Sequence, residues 1–118
     1  MIGIDIIEIN RIGDAIKKPA FISKVFTKAE QDYCGGKGGR PETYAGLFTA
    51  KEAAVKALKT GFNGIKHTEI EILHDGFGAP YIRLYGAAAE VFKATGKQNI
   101  EVSISHCEAY ATAVCNIY

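Results

Sequence analysis

The chain has 118 residues, of which 47% are hydrophobic and 23% are charged, and its formal net charge is +1. These values are ordinary for one globular domain, and so small a net charge gives no indication of nucleic-acid or membrane binding. The chain has no apolar run that could span a bilayer and no secretory signal pattern, and its three cysteines form no C-x-x-C pair. We therefore expect one domain over residues 1–118 in a reducing cytoplasm.

Charge is uneven along the chain. Residues 9–40 contain seven basic and three acidic side chains, an excess of four positive charges. Such a segment would attract an acidic partner, although an ordinary solvated surface explains it equally well.

The N-terminal half is predicted to be mainly helical. Residues 1–5 read as a short buried strand, and isoleucines at helical spacing predict a helix over residues 6–18 that Pro19 ends. A short helix or turn is expected over residues 21–26.

Two further helices are predicted before residue 61. Thr27-Lys28-Ala29-Glu30 is a capping box, so one helix is expected from Lys28 to the glycines after Cys34. Pro41 suits the first turn of a long alanine-rich helix that reaches Lys59, with Gly61 as its C-cap.

The C-terminal half is predicted to be mostly strand. The expected elements are strands over residues 68–73, 80–84, 100–105 and 110–117, and a helix over residues 86–95. The order of strand, helices, hairpin, helix and hairpin predicts an α+β domain, with a largely antiparallel sheet packed against the long helix.

Two acids stand near the end of the first predicted strand. Asp5 and Glu8 have the spacing of a helix N-cap with its capping glutamate, which explains both of them without a ligand. A carboxylate that ends a buried strand must, however, be paired, hydrogen-bonded or bound to a metal. The residues alone leave both interpretations open.

Glu52 and Lys56 are one turn apart on the long predicted helix. Their spacing is that of an exposed ion pair worth about 0.3–0.5 kcal/mol, which is a common feature of helices. The surrounding side chains are mostly alanine and would also let a ligand approach closely. Carboxylates from separate segments suit a hard divalent cation, and a nearby lysine suits phosphate, so Asp5, Glu52 and Lys56 are candidates for such a site.

The remaining polar candidates are weaker. Ser105 and His106 end a predicted strand, where they could bind phosphate or cap a turn. His67 and His74 lie beside turns and are predicted to be surface residues, and the cysteines are predicted to lie in or near the core. The sequence contains no G-x-S-x-G elbow, P-loop or dinucleotide fingerprint.

Five segments taken together resemble a known family. In chain order they are G-I-D-I-I-E-I-N-R-I, F-T-K-A-E, A-G-L-F-T-A-K-E-A-A-V-K-A-L, D-G-F-G-A-P-Y-I and V-S-I-S-H. The set resembles the holo-[acyl-carrier-protein] synthases, which are the short bacterial type of 4′-phosphopantetheinyl transferase. This resemblance implies an α+β fold and a homotrimer with active sites between subunits.

The resemblance also implies a reaction. The family transfers 4′-phosphopantetheine from coenzyme A to a serine hydroxyl of apo-acyl carrier protein and releases adenosine 3′,5′-bisphosphate, with magnesium as cofactor. By motif position, Asp5 and Glu52 become magnesium ligands, and Glu8 acts at the metal or through water. The serine proton would pass to Glu52 or to a metal-bound water, and the sequence does not choose between them.

Other positions match the substrate and partner contacts of the family. Lys56 matches a lysine that contacts the coenzyme A phosphates and takes part in catalysis. Gly61, Ser105 and His106 match segments that border the nucleotide site. Arg11 matches a basic residue that contacts the acidic recognition helix of the carrier protein. The excess positive charge of residues 9–40 would then attract this acidic partner.

One position departs from the family pattern. The family commonly has arginine after the alanine-glycine pair of the third motif, and here that residue is Leu47. Arg40 or a neighbouring subunit could substitute for it. This departure keeps open a non-catalytic module that binds the carrier protein or a nucleotide, and a purely structural oligomer remains a third alternative.

Overall fold

The computed structural model describes residues 1–118 and contains five strands and five α-helices. In chain order they are β1 (Ile2–Glu8), α1 (Ile9–Ala15), α2 (Pro19–Val25), α3 (Lys28–Gly36), α4 (Pro41–Ala57), β2 (Ile70–His74), β3 (Pro80–Leu84), α5 (Gly86–Ala94), β4 (Ile100–His106) and β5 (Tyr110–Ile117). A single 3₁₀ turn, His67–Glu69, precedes β2.

The strands form two antiparallel sheets, so the predicted α+β class is confirmed. One sheet has the order β1-β5-β4 and the other is the β2-β3 hairpin. In the larger sheet Asp5 lies opposite Ala113, and Ala113 lies opposite Ile104. No helix in the structure is both long and apolar enough to cross a membrane.

Helix α4 packs against the larger sheet because both present small side chains. Ala50, Ala53, Ala54 and Ala57 are all fully buried. Gly3 shows how close the contact is, since a Cβ added there would lie 2.0 Å from the Ala53 carbonyl oxygen. This close approach fixes β1, and with it Asp5, against α4.

A buried network of charges ties α3, α4 and β2 together. The Lys51 ammonium lies 2.8 Å from Glu30 Oε1 and donates to the carbonyl oxygens of His67 and Ile70 at 2.8 and 2.6 Å. Glu30 Oε2 accepts from the Ile72 backbone N–H at 2.8 Å. Burial lowers the pKa of Lys51, and Glu30 acts in the opposite direction. The predicted capping box of α3 is also present, so Glu30 both caps this helix and pairs with α4.

Several predicted boundaries are wrong. The helix expected over residues 6–18 begins only at Ile9, because antiparallel pairing with β5 continues to Glu8 opposite Tyr110. It also ends at Ala15, and Pro19 does not end it but begins α2. Helix α4 ends at Ala57, and Gly61 is not its C-cap.

Lys59, rather than a glycine, has the left-handed conformation at this helix end, with φ of 64°. The Lys59 N–H donates to the Lys56 carbonyl at 3.1 Å, and the Thr60 N–H to the Val55 carbonyl at 3.2 Å. These two hydrogen bonds form a Schellman motif with lysine in the position that glycine usually takes.

Candidate functional site

A cleft of about 590 Å³ opens between β1, α1 and α4. Three acids and one base line it, namely Asp5, Glu8, Glu52 and Arg11. Phe21 and Phe48 are among its apolar walls. The cleft therefore joins a carboxylate-rich end to an apolar surface.

Asp5 lies within β1 and faces α4. Its Oδ2 accepts a hydrogen bond from Thr49 Oγ1 at 2.6 Å, and its Oδ1 lies 3.0 Å from the Lys56 ammonium. The N-cap interpretation is wrong, because Glu8 occupies the N-cap position of α1 and its side chain makes no capping hydrogen bond. Asp5 is instead a paired, largely buried carboxylate.

Lys56 does not pair with Glu52, so the predicted alternative of a surface ion pair is also wrong. Its ammonium donates to Asp5 and to the Ile4 carbonyl oxygen at 3.1 Å, while about half of the side chain stays exposed. Glu52 Oε1 lies 3.9 Å from His67 Nε2, a distance too long for a hydrogen bond. The Glu52 carboxylate therefore remains free to face the cleft.

His67 and His74 are half-buried, so the predicted surface position holds only in part. The His67 ring stacks on Phe62 at 3.7 Å between centroids and lies 5.8 Å from the Phe48 ring. The His74 ring stacks on Tyr33 at 3.8 Å, and its Nδ1 is buried without a hydrogen-bond partner. Sequence reasoning missed both contacts, because the Tyr33–His74 stack joins α3 to β2 and the Phe62–His67 stack depends on the fold of the loop between α4 and β2.

The residues matched to the nucleotide site lie elsewhere on the chain. Ser105 and His106 are exposed at the end of β4. His106 lines a second cleft, of about 220 Å³, together with Leu47 and His74. Gly61 follows the end of α4 and does not line the larger cleft. Within one chain, the three acids lie at the larger cleft, with Lys56 paired to Asp5. The residues matched to the nucleotide site, Gly61, Ser105 and His106, do not line this cleft.

Two of the three cysteines lie in the core, as predicted. Cys34 and Cys115 are buried free thiols, and burial raises the pKa of each to about 12. Cys107 differs from the prediction because it is exposed in the β4–β5 turn.

The structure shows no group of three or more His, Cys, Asp or Glu side chains arranged to hold a metal by themselves. This donor set still fits magnesium, which binds through one or two carboxylates and keeps water and substrate phosphate as its other ligands. Asp5 and Glu52 supply hard oxygen donors from two elements that line one cleft.

Comparisons with known proteins give the family. The model of the 4′-phosphopantetheinyl transferase superfamily matches residues 1–115. The holo-[acyl-carrier-protein] synthase of Ruminiclostridium cellulolyticum is 47% identical, covering 96% of this chain and 87% of the relative. That of Fusobacterium nucleatum is 45% identical, with 98% and 96% covered.

A solved structure agrees with these relatives. The crystal structure of Helicobacter pylori holo-[acyl-carrier-protein] synthase in complex with coenzyme A has a TM-score of 0.88 and 33% sequence identity, and all of both chains is covered. The chain therefore belongs to the 4′-phosphopantetheinyl transferase superfamily.

Proposed function

We propose that the cleft of Asp5, Glu8 and Glu52 is a magnesium-dependent active site. The reaction is that of a holo-[acyl-carrier-protein] synthase in fatty acid biosynthesis. It transfers the 4′-phosphopantetheine group from coenzyme A to a serine hydroxyl of apo-acyl carrier protein and releases adenosine 3′,5′-bisphosphate. The observation that carries the site is that Asp5 and Glu52 line one cleft, with the Lys56 ammonium 3.0 Å from Asp5.

The acids have separate roles in this proposal. Asp5 and Glu52 would hold magnesium, which supplies charge neutralisation on the phosphoryl oxygens of coenzyme A. Glu8 is exposed at the edge of the cleft and contributes directly or through water. We take Glu52, which Lys56 does not neutralise, as the proposed acceptor of the proton of the attacking serine hydroxyl, with a metal-bound water as the alternative.

Lys56 stabilises the leaving phosphate. An ammonium has three N–H donors, and two of them are directed to Asp5 and the Ile4 carbonyl. The third is available for a phosphate oxygen, because about half of the side chain is exposed. Negative charge that develops on the leaving group would thus meet a fixed positive charge.

The carrier protein would dock beside the same cleft. Arg11 lines the cleft, and the neighbouring exposed lysines on and between α1 and α2 are Lys17, Lys18 and Lys24. An acidic carrier surface would be steered by this charge, which brings its serine to the carboxylate end of the cleft.

A homotrimer would complete the site. The outer face of the larger sheet carries Ile2, Ile4 and Ile6, whose exposures are 69%, 64% and 65%. A contiguous apolar face of this kind marks an interaction surface. Ser105 shares this face, since it pairs with Thr112 and Thr112 pairs with Ile6. A neighbouring subunit on this face would therefore contact the end of β4 that carries Ser105, which the resemblance matches to the nucleotide site. The cytoplasm is the proposed location, because Cys34 and Cys115 are free thiols.

The proposed function is tested by a transfer assay. The protein is incubated with apo-acyl carrier protein, coenzyme A and magnesium, and the carrier is weighed by mass spectrometry. We expect a gain of one phosphopantetheine that chelation of the metal abolishes. No gain, beside an active control enzyme, would refute transfer. Coenzyme A binding without a gain would instead identify a binding module.

Glu52→Gln tests the site itself. We expect transfer to fall by at least about a hundredfold, since the change removes both a metal ligand and the proton acceptor, while the fold persists. Glu90→Gln makes the same change on the exposed side of α5 and should leave transfer intact. An active, folded Glu52→Gln protein would show that Glu52 is not catalytic.

A further inference from the structure

Thr49 places a hydroxyl group in the mostly apolar contact between α4 and β1. Its side chain is fully buried, as are those of Ala50, Ala53, Ala54 and Ala57 on the same helix. A buried hydroxyl costs free energy unless it is hydrogen-bonded, and threonine favours a helix less than alanine does. Alanine at position 49 would avoid both costs, so the hydroxyl group calls for an explanation.

The partner of this hydroxyl group is Asp5. Thr49 Oγ1 donates to Asp5 Oδ2 at 2.6 Å, whereas a threonine within a helix often donates to a carbonyl of its own helix. The other carboxylate oxygen, Oδ1, lies 3.0 Å from the ammonium of Lys56, whose side chain is half exposed. Asp5 is therefore held on its buried side by Thr49 and on its exposed side by Lys56.

These two contacts differ in how firmly they hold the carboxylate. Lys56 has a long flexible stem and an ammonium that water reaches, so its ion pair with Asp5 is weak and can be exchanged for a phosphate oxygen. Thr49 has a short side chain on a packed helix, and its hydroxyl group lies out of reach of solvent. When Lys56 turns towards a phosphate, the hydrogen bond from Thr49 still fixes the orientation of Asp5.

We propose that Thr49 is a positioning residue for Asp5, whose carboxylate it orients for binding of the magnesium ion. Hydrogen bonds to a ligating carboxylate fix its orientation, and their loss typically weakens metal binding about ten- to a hundredfold. Thr49 acts only through Asp5, because it is fully buried and does not line the larger cleft. This inference rests on the proposed function, since it explains how one ligand of that site is held.

The test separates the hydroxyl group from the packing of the side chain. Thr49→Val keeps the shape and removes the hydroxyl, and Thr49→Ser keeps the hydroxyl and removes the methyl group. Thr95→Val is the matched control, because it deletes a threonine hydroxyl that donates over the same 2.6 Å, to the Phe92 carbonyl at the end of α5. Magnesium affinity is measured by calorimetry with coenzyme A present and the carrier protein absent, so no turnover occurs. Transfer kinetics and urea denaturation are measured in parallel.

We expect Thr49→Val to bind magnesium about ten- to a hundredfold more weakly than the parent protein. The magnesium concentration that half-saturates transfer should rise by the same factor, while the KM for the carrier protein stays unchanged. Thr49→Ser should keep the parent affinity, and Thr95→Val should lose stability without losing affinity. Thr49→Ala also lacks the hydroxyl and suits a helix better, so it provides the same measurement if Thr49→Val does not fold.

Parent-like magnesium affinity in the variants that lack the hydroxyl would overturn the inference, because the hydrogen bond would then only satisfy two buried groups. An equal loss in Thr49→Ser would also overturn it, since the effect would belong to the methyl group. A parent protein that binds magnesium, loses it in Thr49→Val and transfers nothing would refute the proposed function and leave the role of Thr49 standing. A parent protein that binds no magnesium would overturn both.

Discussion

At the scale of single residues, the neighbours Lys51 and Glu52 show how one helix serves both the core and the cleft. Consecutive residues of an α-helix are turned by about 100° from each other, so the two side chains leave α4 in different directions. Lys51 is fully buried against Glu30, while about a quarter of Glu52 is exposed and it lines the cleft. The buried pair fixes the helix that presents Glu52, the proposed catalytic residue, to the cleft.

His74 is a half-buried titratable group with a testable effect on stability. Burial lowers its pKa, Lys37 adds to this effect, and its Nδ1 has no hydrogen-bond partner. The unfolded state therefore binds a proton more readily than the folded state. The full contribution of His74 to the free energy of unfolding is therefore present above the ordinary histidine pKa of about 6.5. This contribution is lost as pH falls below that value.

His74→Phe tests this coupling and should keep the stack on Tyr33. We expect the free energy of unfolding, measured by urea denaturation, to fall less between pH 7.5 and pH 5.5 in the variant than in the parent protein. The carboxylates titrate alike in both proteins, so the difference isolates His74. Equal losses in the two proteins would show that His74 does not couple folding to pH.

At the scale of elements, the site depends on how closely β1 approaches α4. A Cβ on Gly3 would lie 2.0 Å from the Ala53 carbonyl oxygen and 2.5 Å from the Ala57 nitrogen, both of which are backbone atoms that cannot rotate away. Asp5 belongs to β1 and Glu52 belongs to α4. Any displacement of β1 must therefore change the distance between Asp5 and Glu52.

Gly3→Ala is expected to damage both stability and catalysis. Overpacking of this kind costs about 1–3 kcal/mol, and the strand must shift away from the helix. Urea denaturation and the transfer assay measure the two losses. Gly35→Ala adds the same methyl group in α3, where no atom lies within 4 Å, and should be neutral or slightly stabilising. A fully active and stable Gly3→Ala protein would contradict the close-packing argument.

Short sequence motifs correctly predicted those helices and strands whose ends depend on residues close by in the chain. The capping box at Thr27, Pro41 at the first turn of α4, and the strand β3 over residues 80–84 are all confirmed. The end of β1 was missed because Ile6 and Ile9 fit a helical spacing, whereas pairing with β5 extends the strand. The end of α4 was missed because Gly61 has the expected residue type, yet Lys59 takes the left-handed position.

The site was predictable only in part, for a related reason. The acids Asp5 and Glu52 were singled out by residue type and motif position. Their local spacings favoured a cap and an ion pair, and neither contact forms, because Thr49 and Lys56 instead bind Asp5 across the interface between β1 and α4. Tertiary contacts of this kind leave no periodic trace in a sequence.

At the scale of the whole molecule, the outer face of the larger sheet is its main unexplained apolar surface. The exposed residues there include the three isoleucines of β1 together with Tyr110, Val114 and Tyr118 of and after β5. The sequence predicted a buried first strand, and in one chain only its inner face is buried. A homotrimer that covers the outer face would reconcile the isoleucine run with its exposure.

Ile4→Glu tests this assembly. Its side chain is 64% exposed in the single chain, so the substitution should leave the fold intact, as circular dichroism can check. In a trimer the same glutamate would be buried without a partner at every interface, which association cannot tolerate. We expect light scattering to give three times the chain mass of 12.7 kDa for the parent protein and a single chain mass for the variant.

Transfer activity should fall together with assembly if each active site needs the neighbouring subunit. Phe77→Glu provides the control, because Phe77 is fully exposed at the β2–β3 turn, outside the sheet face, and the change from apolar to acidic is comparable. That variant should remain trimeric and active. A parent protein that is monomeric while active, or an Ile4→Glu protein that stays trimeric, would show that some other surface or no surface completes the site.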